Sequence, residues 1–109
     1  SAGSFFKNVF VDKTGADEAE TKGIPIWRNA DGGGKINSGW LIEQCGLKGK
    51  ELFGFRVSDK AALVLINESA KSYHDLDRAR QTIIDTVKEK FGYTLNQEPV
   101  EIPILTEEK

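Results

Sequence analysis

The feature that most constrains the fold is one long amphipathic run near the end of the chain. Leu76, Ala79, Ile83, Val87 and Phe91 recur at spacings of three or four, which on a helix of about 3.6 residues per turn sets them in one stripe. Both ends are marked. Ser72 has the side-chain oxygen that satisfies the free amides of a helix start, and Asp75 can answer it as a weaker capping box. Gly92 suits the left-handed residue that stops the helix. Such a stripe must be covered. In 109 residues, 39% hydrophobic, the cover has to come from one small core.

Strands are the available cover. "SFFKNVFV" is too short for a helix and rich in strand formers, so it reads as one or two short strands. "KELFGFRV" and "AALVLINE", separated by residues 58–60, read as an antiparallel pair. The second is nearly continuously apolar and is expected to be the central strand. "VEIPIL" reads as a last strand, with Pro103 favouring an edge. In "NSGWLIEQCG", Asn37 or Ser38 can cap a short helix, Trp40, Leu41 and Cys45 form its inner face, and Gly46 ends it. Residues 12–36 are polar and rich in Gly and Pro. They read as a long surface loop with a helical turn near residues 17–20, pinned by Ile24, Ile26 and Trp27 and loosest at glycines 32–34. The pattern predicts an α+β domain: a small, mostly antiparallel sheet packed against one long and one short helix.

Fifteen Lys and Arg against seventeen Asp and Glu leave no broad basic face for nucleic acid. One cysteine and one histidine exclude an intrachain disulfide and leave a Cys/His zinc site short of ligands. Cys45 reads as a buried small hydrophobe, His74 as an ordinary residue of a helix start, and Arg56 as an anion contact without a visible partner. No apolar run approaches the ~20 residues of a membrane helix, and no basic-then-apolar leader opens the sequence. A cytoplasmic location is expected. The absence of Met, an initiator included, points to a piece of a longer chain.

Four strings, in order and at compatible spacing, carry more specific information: "AGSFFKN", "GWLIEQCGLKG", "VSDK" leading through an apolar run into "IN", and "EKFGYTLNQE". Together they resemble the C-terminal, substrate-binding domain of the UDP-N-acetylenolpyruvoylglucosamine reductase (MurB) family over nearly the whole chain. "DGGGKINSGWLIEQC" is similar to the longer form of that family. The resemblance implies part of a flavin-dependent reductase that converts UDP-N-acetylglucosamine enolpyruvate to UDP-N-acetylmuramate with NADPH in peptidoglycan synthesis. It implies as partners that substrate and an FAD-binding domain of the same parent chain. "DGGGK" lacks the spacing and flanking strand of a phosphate cradle, so this segment is expected to hold no cofactor itself and to be inactive alone.

The resemblance also implies roles. Ser4 matches the serine of the family's "GSFFKN" motif, a general acid that delivers a proton to the carbanion left by reduction. By its residue type alone, it is a serine bonded to backbone at a strand start. Glu98, after "YTLNQ", matches a glutamate near the substrate carboxylate that assists protonation. Pro99 follows it where the family has valine, which fixes φ and removes a donor. Asn8 matches an anchor near the nucleotide diphosphate. On a regular strand it shares the face of Ser4, about 13 Å away at a rise of ~3.3 Å per residue, with Lys7 facing away. Val9 replaces the family's proline. Ala61 stands where the family has His or Gln against the nucleotide end, leaving Lys60 as the nearest compensating group. "GLKG" at residues 46–49 reads as structural, with Lys48 on the surface. The alternative is a divergent nucleotide-sugar binding module without catalysis.

Overall fold

Residues 5–62 and 64–97 are described in the computed structural model. They form β1 (Val9–Val11), α1 (Lys13–Thr21), β2 (Trp27–Arg28), β3 (Gly34–Ile36), α2 (Ser38–Gln44), β4 (Glu51–Leu52), β5 (Phe55–Val57), β6 (Leu65–Asn67) and α3 (Tyr73–Phe91). This is an α+β fold with antiparallel pairing throughout, as the patterning predicts. Its strands divide between two three-stranded sheets, ordered β1-β3-β2 and β4-β5-β6, and α1 adds a third helix.

The long helix forms where its stripe places it. The Ser72 side chain accepts from the Asp75 amide, and Asp75 reaches back to accept from the Lys71 amide at 3.4 Å. Gly92 sits at φ 84° and its N–H donates to the Lys88 carbonyl, closing the last turn. Leu76, Ala79, Ile83 and Val87 are buried, while Phe91 is half-buried with its ring 5.9 Å from that of Trp40 on α2. One cluster joins the stripe to both sheets through Phe6, Ile36, Leu41, Ile42, Phe55 and Val57.

Much of the expected loop over residues 12–36 is ordered. Asp12 caps α1 by accepting from the Gly15 amide at 2.8 Å, and Ala16 and Ala19 are its buried residues. Two alanines make a weak stripe, which is why the helix does not stand out in the sequence. Arg28 then ties β2 to α1 through Asp17 at 2.9 Å and Glu20 at 3.2 Å. Glycines 32–34 are not slack either. Gly34 lies in the middle strand, where an added Cβ would meet the Trp27 carbonyl oxygen at 2.5 Å, so close backbone approach requires glycine there. Ile24 is buried and Ile26 half-buried, whereas Trp27 points outward and pins nothing.

In the second sheet, "KELFGFRV" is itself a hairpin, β4 and β5, turning at Phe53 and Gly54. The middle strand is β5, not the apolar run after it. The Ser58 amide donates to the Val64 carbonyl and the Val64 amide to the Ala61 carbonyl, which folds the start of that run into a turn and leaves Leu65–Asn67 to pair as β6. The first segment departs from a regular strand as well. Phe5 and Phe6 are both buried although adjacent, their rings edge-to-face at 4.9 Å, and a regular strand would send them to opposite faces. Phe6 forms an isolated antiparallel bridge with Gln97, and the Lys7 amide donates to the Asn96 carbonyl at 2.8 Å. Ser4, Glu98 and the "VEIPIL" strand lie outside the described residues. Among the described residues, no helix is long and apolar enough to cross a membrane, and no cluster of His, Cys, Asp and Glu could hold a metal.

Candidate functional site

Asn8 is positioned by the start of α2. Asn37 caps that helix, its Oδ1 accepting from the Trp40 amide at 3.1 Å. The next residue, Ser38, is fully buried and donates through Oγ to the Lys7 carbonyl, while its amide donates to Asn8 Oδ1 at 3.1 Å. The Asn8 oxygen is thereby committed, and its NH₂ group is the end left to meet a ligand.

Asn8 opens onto a cleft of about 190 Å³ whose other walls are Pro25, Ile26, Trp27, Lys35, Asn37 and Trp40. Trp27 and Lys35 are cross-strand partners, and the Lys35 ammonium lies 4.6 Å from the centre of the Trp27 ring. The cleft thus combines one cation and two carboxamides with two indoles and an aliphatic edge. Ammonium and amide donors suit phosphate or carboxylate oxygens, and indole faces suit flat rings or sugar C–H surfaces.

A second cleft, of about 350 Å³, shares Asn37 and Trp40 and continues past Gly39, Glu43, Lys48 and Lys60 to Ala61 and Ala62. Lys48 is exposed, as expected, and lines this cleft; its ammonium is 3.7 Å from a Glu43 carboxylate oxygen. Ala61 brings only a methyl group, its amide donating to Ser58 Oγ at 3.3 Å.

Three other polar or nucleophilic residues stay outside the site. Arg56 is occupied by Glu68 and by the Gly49 carbonyl, each at 2.8 Å, and the Glu68 hydrogen bond holds its guanidinium pKa above the ordinary value. Cys45 is half-buried, donates weakly to the Thr86 carbonyl, and has its thiol pKa pushed up by burial, which disfavours the thiolate. His74 is exposed on the first turn of α3 and lines neither cleft.

With this geometry in hand, the comparison with known sequences is decisive. Residues 1–102 match the family of the UDP-N-acetylenolpyruvoylglucosamine reductase C-terminal domain. The chain belongs to this family. Among similar proteins, the UDP-N-acetylenolpyruvoylglucosamine reductase of Ralstonia nicotianae is 40% identical over 94% of this chain and 30% of its own length. Those of Pectobacterium atrosepticum and Pasteurella multocida are 42% and 41% identical over 90% of this chain and 29% of theirs. This member of the reductase C-terminal domain family therefore spans about 30% of the length of the curated relatives it matches.

The glycine run at residues 32–34 is built for close backbone approach. Gly33 and Gly34 are required by packing, since a Cβ on either would meet a backbone oxygen at 2.6 or 2.5 Å. The Gly33 amide is already bound to Asp31 Oδ1, so this turn has no free cradle for phosphate. Of the three residues matched to family roles, Asn8 is in the cleft. Ser4 and Glu98 are outside the described residues. The motif reading passed over Lys35, Trp27, Asn37 and Trp40. A signal was present for the first two: the apolar run "IPIW" and the pair "KI" flank "RNADGGG", a turn-rich spacer of the kind that joins a hairpin.

Proposed function

We propose that this chain is the substrate-binding part of a cytoplasmic, flavin-dependent reductase that converts UDP-N-acetylglucosamine enolpyruvate to UDP-N-acetylmuramate for peptidoglycan. FAD and NADPH are assigned to a region outside it. The observation that carries the reading is the convergence of the Asn8 carboxamide and the Lys35 ammonium in one cleft walled by indoles. A nucleotide sugar offers the matching chemistry: diphosphate oxygens for the ammonium and amide donors, and flat or C–H faces for Trp27 and Trp40.

Reduction of the enol ether leaves a carbanion conjugated to a carboxylate, and quenching it with a proton is the task assigned to this chain. Ser4 donates that proton from Oγ, and Glu98 assists from beside the substrate carboxylate. The Phe6–Gln97 bridge supports this pairing because it holds together the described segments that lead to each residue. A serine is a weak acid, so its competence depends on placement against a strongly basic carbon. Asn8 and Lys35 provide that placement by holding the far end of the ligand.

Titration of UDP-N-acetylglucosamine into the 109-residue chain tests the binding part. Amide shifts are expected at Asn8, Lys35, Asn37 and Trp40, and their absence at millimolar ligand would overturn the assignment of the cleft. Ala61 favours a second reading, a nucleotide-sugar binding module without catalysis, because it offers the second cleft no hydrogen bond. That reading predicts binding without turnover even when the rest of a reductase is supplied.

A further inference from the structure

The first sheet carries an outward row of side chains that its own fold does not cover. Phe10 on β1 pairs with Lys35 on β3, and Lys35 pairs with Trp27 on β2, so the three stand in one cross-strand ladder. Val9, Val11 and Ile36 on the opposite face pack against the core. Phe10 and Trp27 are each 71% exposed, the most exposed large hydrophobic side chains among the described residues. Aromatic side chains present roughly 150–250 Å² each, so the two rings leave on the order of 300 Å² of apolar surface in water. Exposed aromatics grouped on a rigid sheet are the kind of residue that anchors the centre of an interface.

Two observations identify what covers them. The chain matches a C-terminal domain and spans only 30% of a relative such as the Ralstonia nicotianae reductase, so the larger part of such a protein precedes it. The ladder also disfavours a second copy of itself. Lys35 is its middle member, and stacking two ladders about a two-fold axis would bring the two ammonium groups together between the rings. The complementary surface must instead offer apolar recesses for the two rings while leaving the Lys35 ammonium to the cleft it lines.

We infer that the Phe10–Lys35–Trp27 ladder is the seat of the preceding region of the reductase chain. Trp27 and Lys35 also line the Asn8 cleft, so docking on the ladder closes that cleft along one side. This inference rests on family membership and exposure, not on the roles given to Ser4 and Glu98.

Hydroxyl-radical footprinting tests it, on the 109-residue chain and on a chimera carrying this chain as the C-terminal domain of the Ralstonia nicotianae reductase. In the chain alone Phe10 and Trp27 should oxidise readily. In the chimera both should be protected severalfold, while Phe53, exposed on the hairpin of the other sheet, should react equally in both. Phe10 and Trp27 as reactive in the folded chimera as in the chain alone would overturn the proposal. A second measurement needs no chimera: sedimentation of the chain with and without Phe10→Ser. A monomer in both cases is expected, and a dimer lost on Phe10→Ser would assign the ladder to self-association instead. Failure of UDP-N-acetylglucosamine to bind would leave the footprint unchanged, so the two readings fail separately.

Discussion

Phe53 is a residue whose backbone and side chain pull in opposite directions. It sits at φ 53°, followed by Gly54 at 89°, in the two-residue turn between β4 and β5. Both central positions at positive φ match the turn type that favours Asn-Gly. A bulky residue in this left-handed region costs about 1–2 kcal/mol. The Arg78 guanidinium, 4.6 Å from the ring centre, offsets about 0.5–1 kcal/mol of that at an exposed site. Phe53→Asn should therefore stabilise the fold by about 0.5–1 kcal/mol, read as a higher urea midpoint at unchanged slope. A lower midpoint would mean that the ring contact outweighs the backbone strain. The Glu51 carboxylate, which accepts from the Gly54 amide at 2.7 Å, keeps the turn closed in either case.

Two helices depend on carboxylates at or near their first turns. The Arg78 hydrogen bond, with help from the Lys71 amide, lowers the Asp75 pKa below its usual 3.8. The Arg28 hydrogen bond, then that of Lys13, does the same for Asp17 on α1. A lowered folded-state value means these contributions are complete above the ordinary carboxylate range and are lost as pH falls through the lowered values. Amide exchange at the starts of α1 and α3 should accelerate selectively below the ordinary range, while exchange at Ile83 and Val87 lags behind. Uniform acceleration would show that these two carboxylates have no local role. The contrast between the helices also explains what the sequence disclosed. The α3 stripe has large apolar residues at Leu76, Ile83 and Val87, so its period is audible in a single chain. The inner face of α1 rests on Ala16 and Ala19, and its partner Arg28 acts from another element, so no window of sequence contains the reason it forms. The candidate site divides in the same way. Asn8 belongs to a motif, whereas Lys35 and Trp27 gain meaning only from the pairing of β2 with β3.

At the scale of the molecule, the proposed reading separates chemistry from binding. In it, the described residues wall the ligand cleft, and the proton donor assigned to Ser4 acts on a substrate reduced by a region outside this chain. In a full-length reductase carrying this domain, Ser4→Ala should lower turnover of the enolpyruvyl substrate by about 10²–10⁴-fold, the usual contribution of a positioned general acid. Reduction of the flavin by NADPH should be unchanged. Equal turnover in the variant would remove Ser4 from the reaction, and slowed flavin reduction would indicate damage to the other half. The binding result expected for the isolated chain is independent of both outcomes.

The bridge between Phe6 and Gln97 has a topological consequence. It places the described start and end of the domain side by side, with the Lys7–Asn96 hydrogen bond as a second rung. Segment ends held side by side in this way are what circular permutation asks of a domain. Joining the two ends with a short linker and reopening the circle at an exposed turn would keep the same neighbours in contact. The bridge is the seam along which such a circle would close.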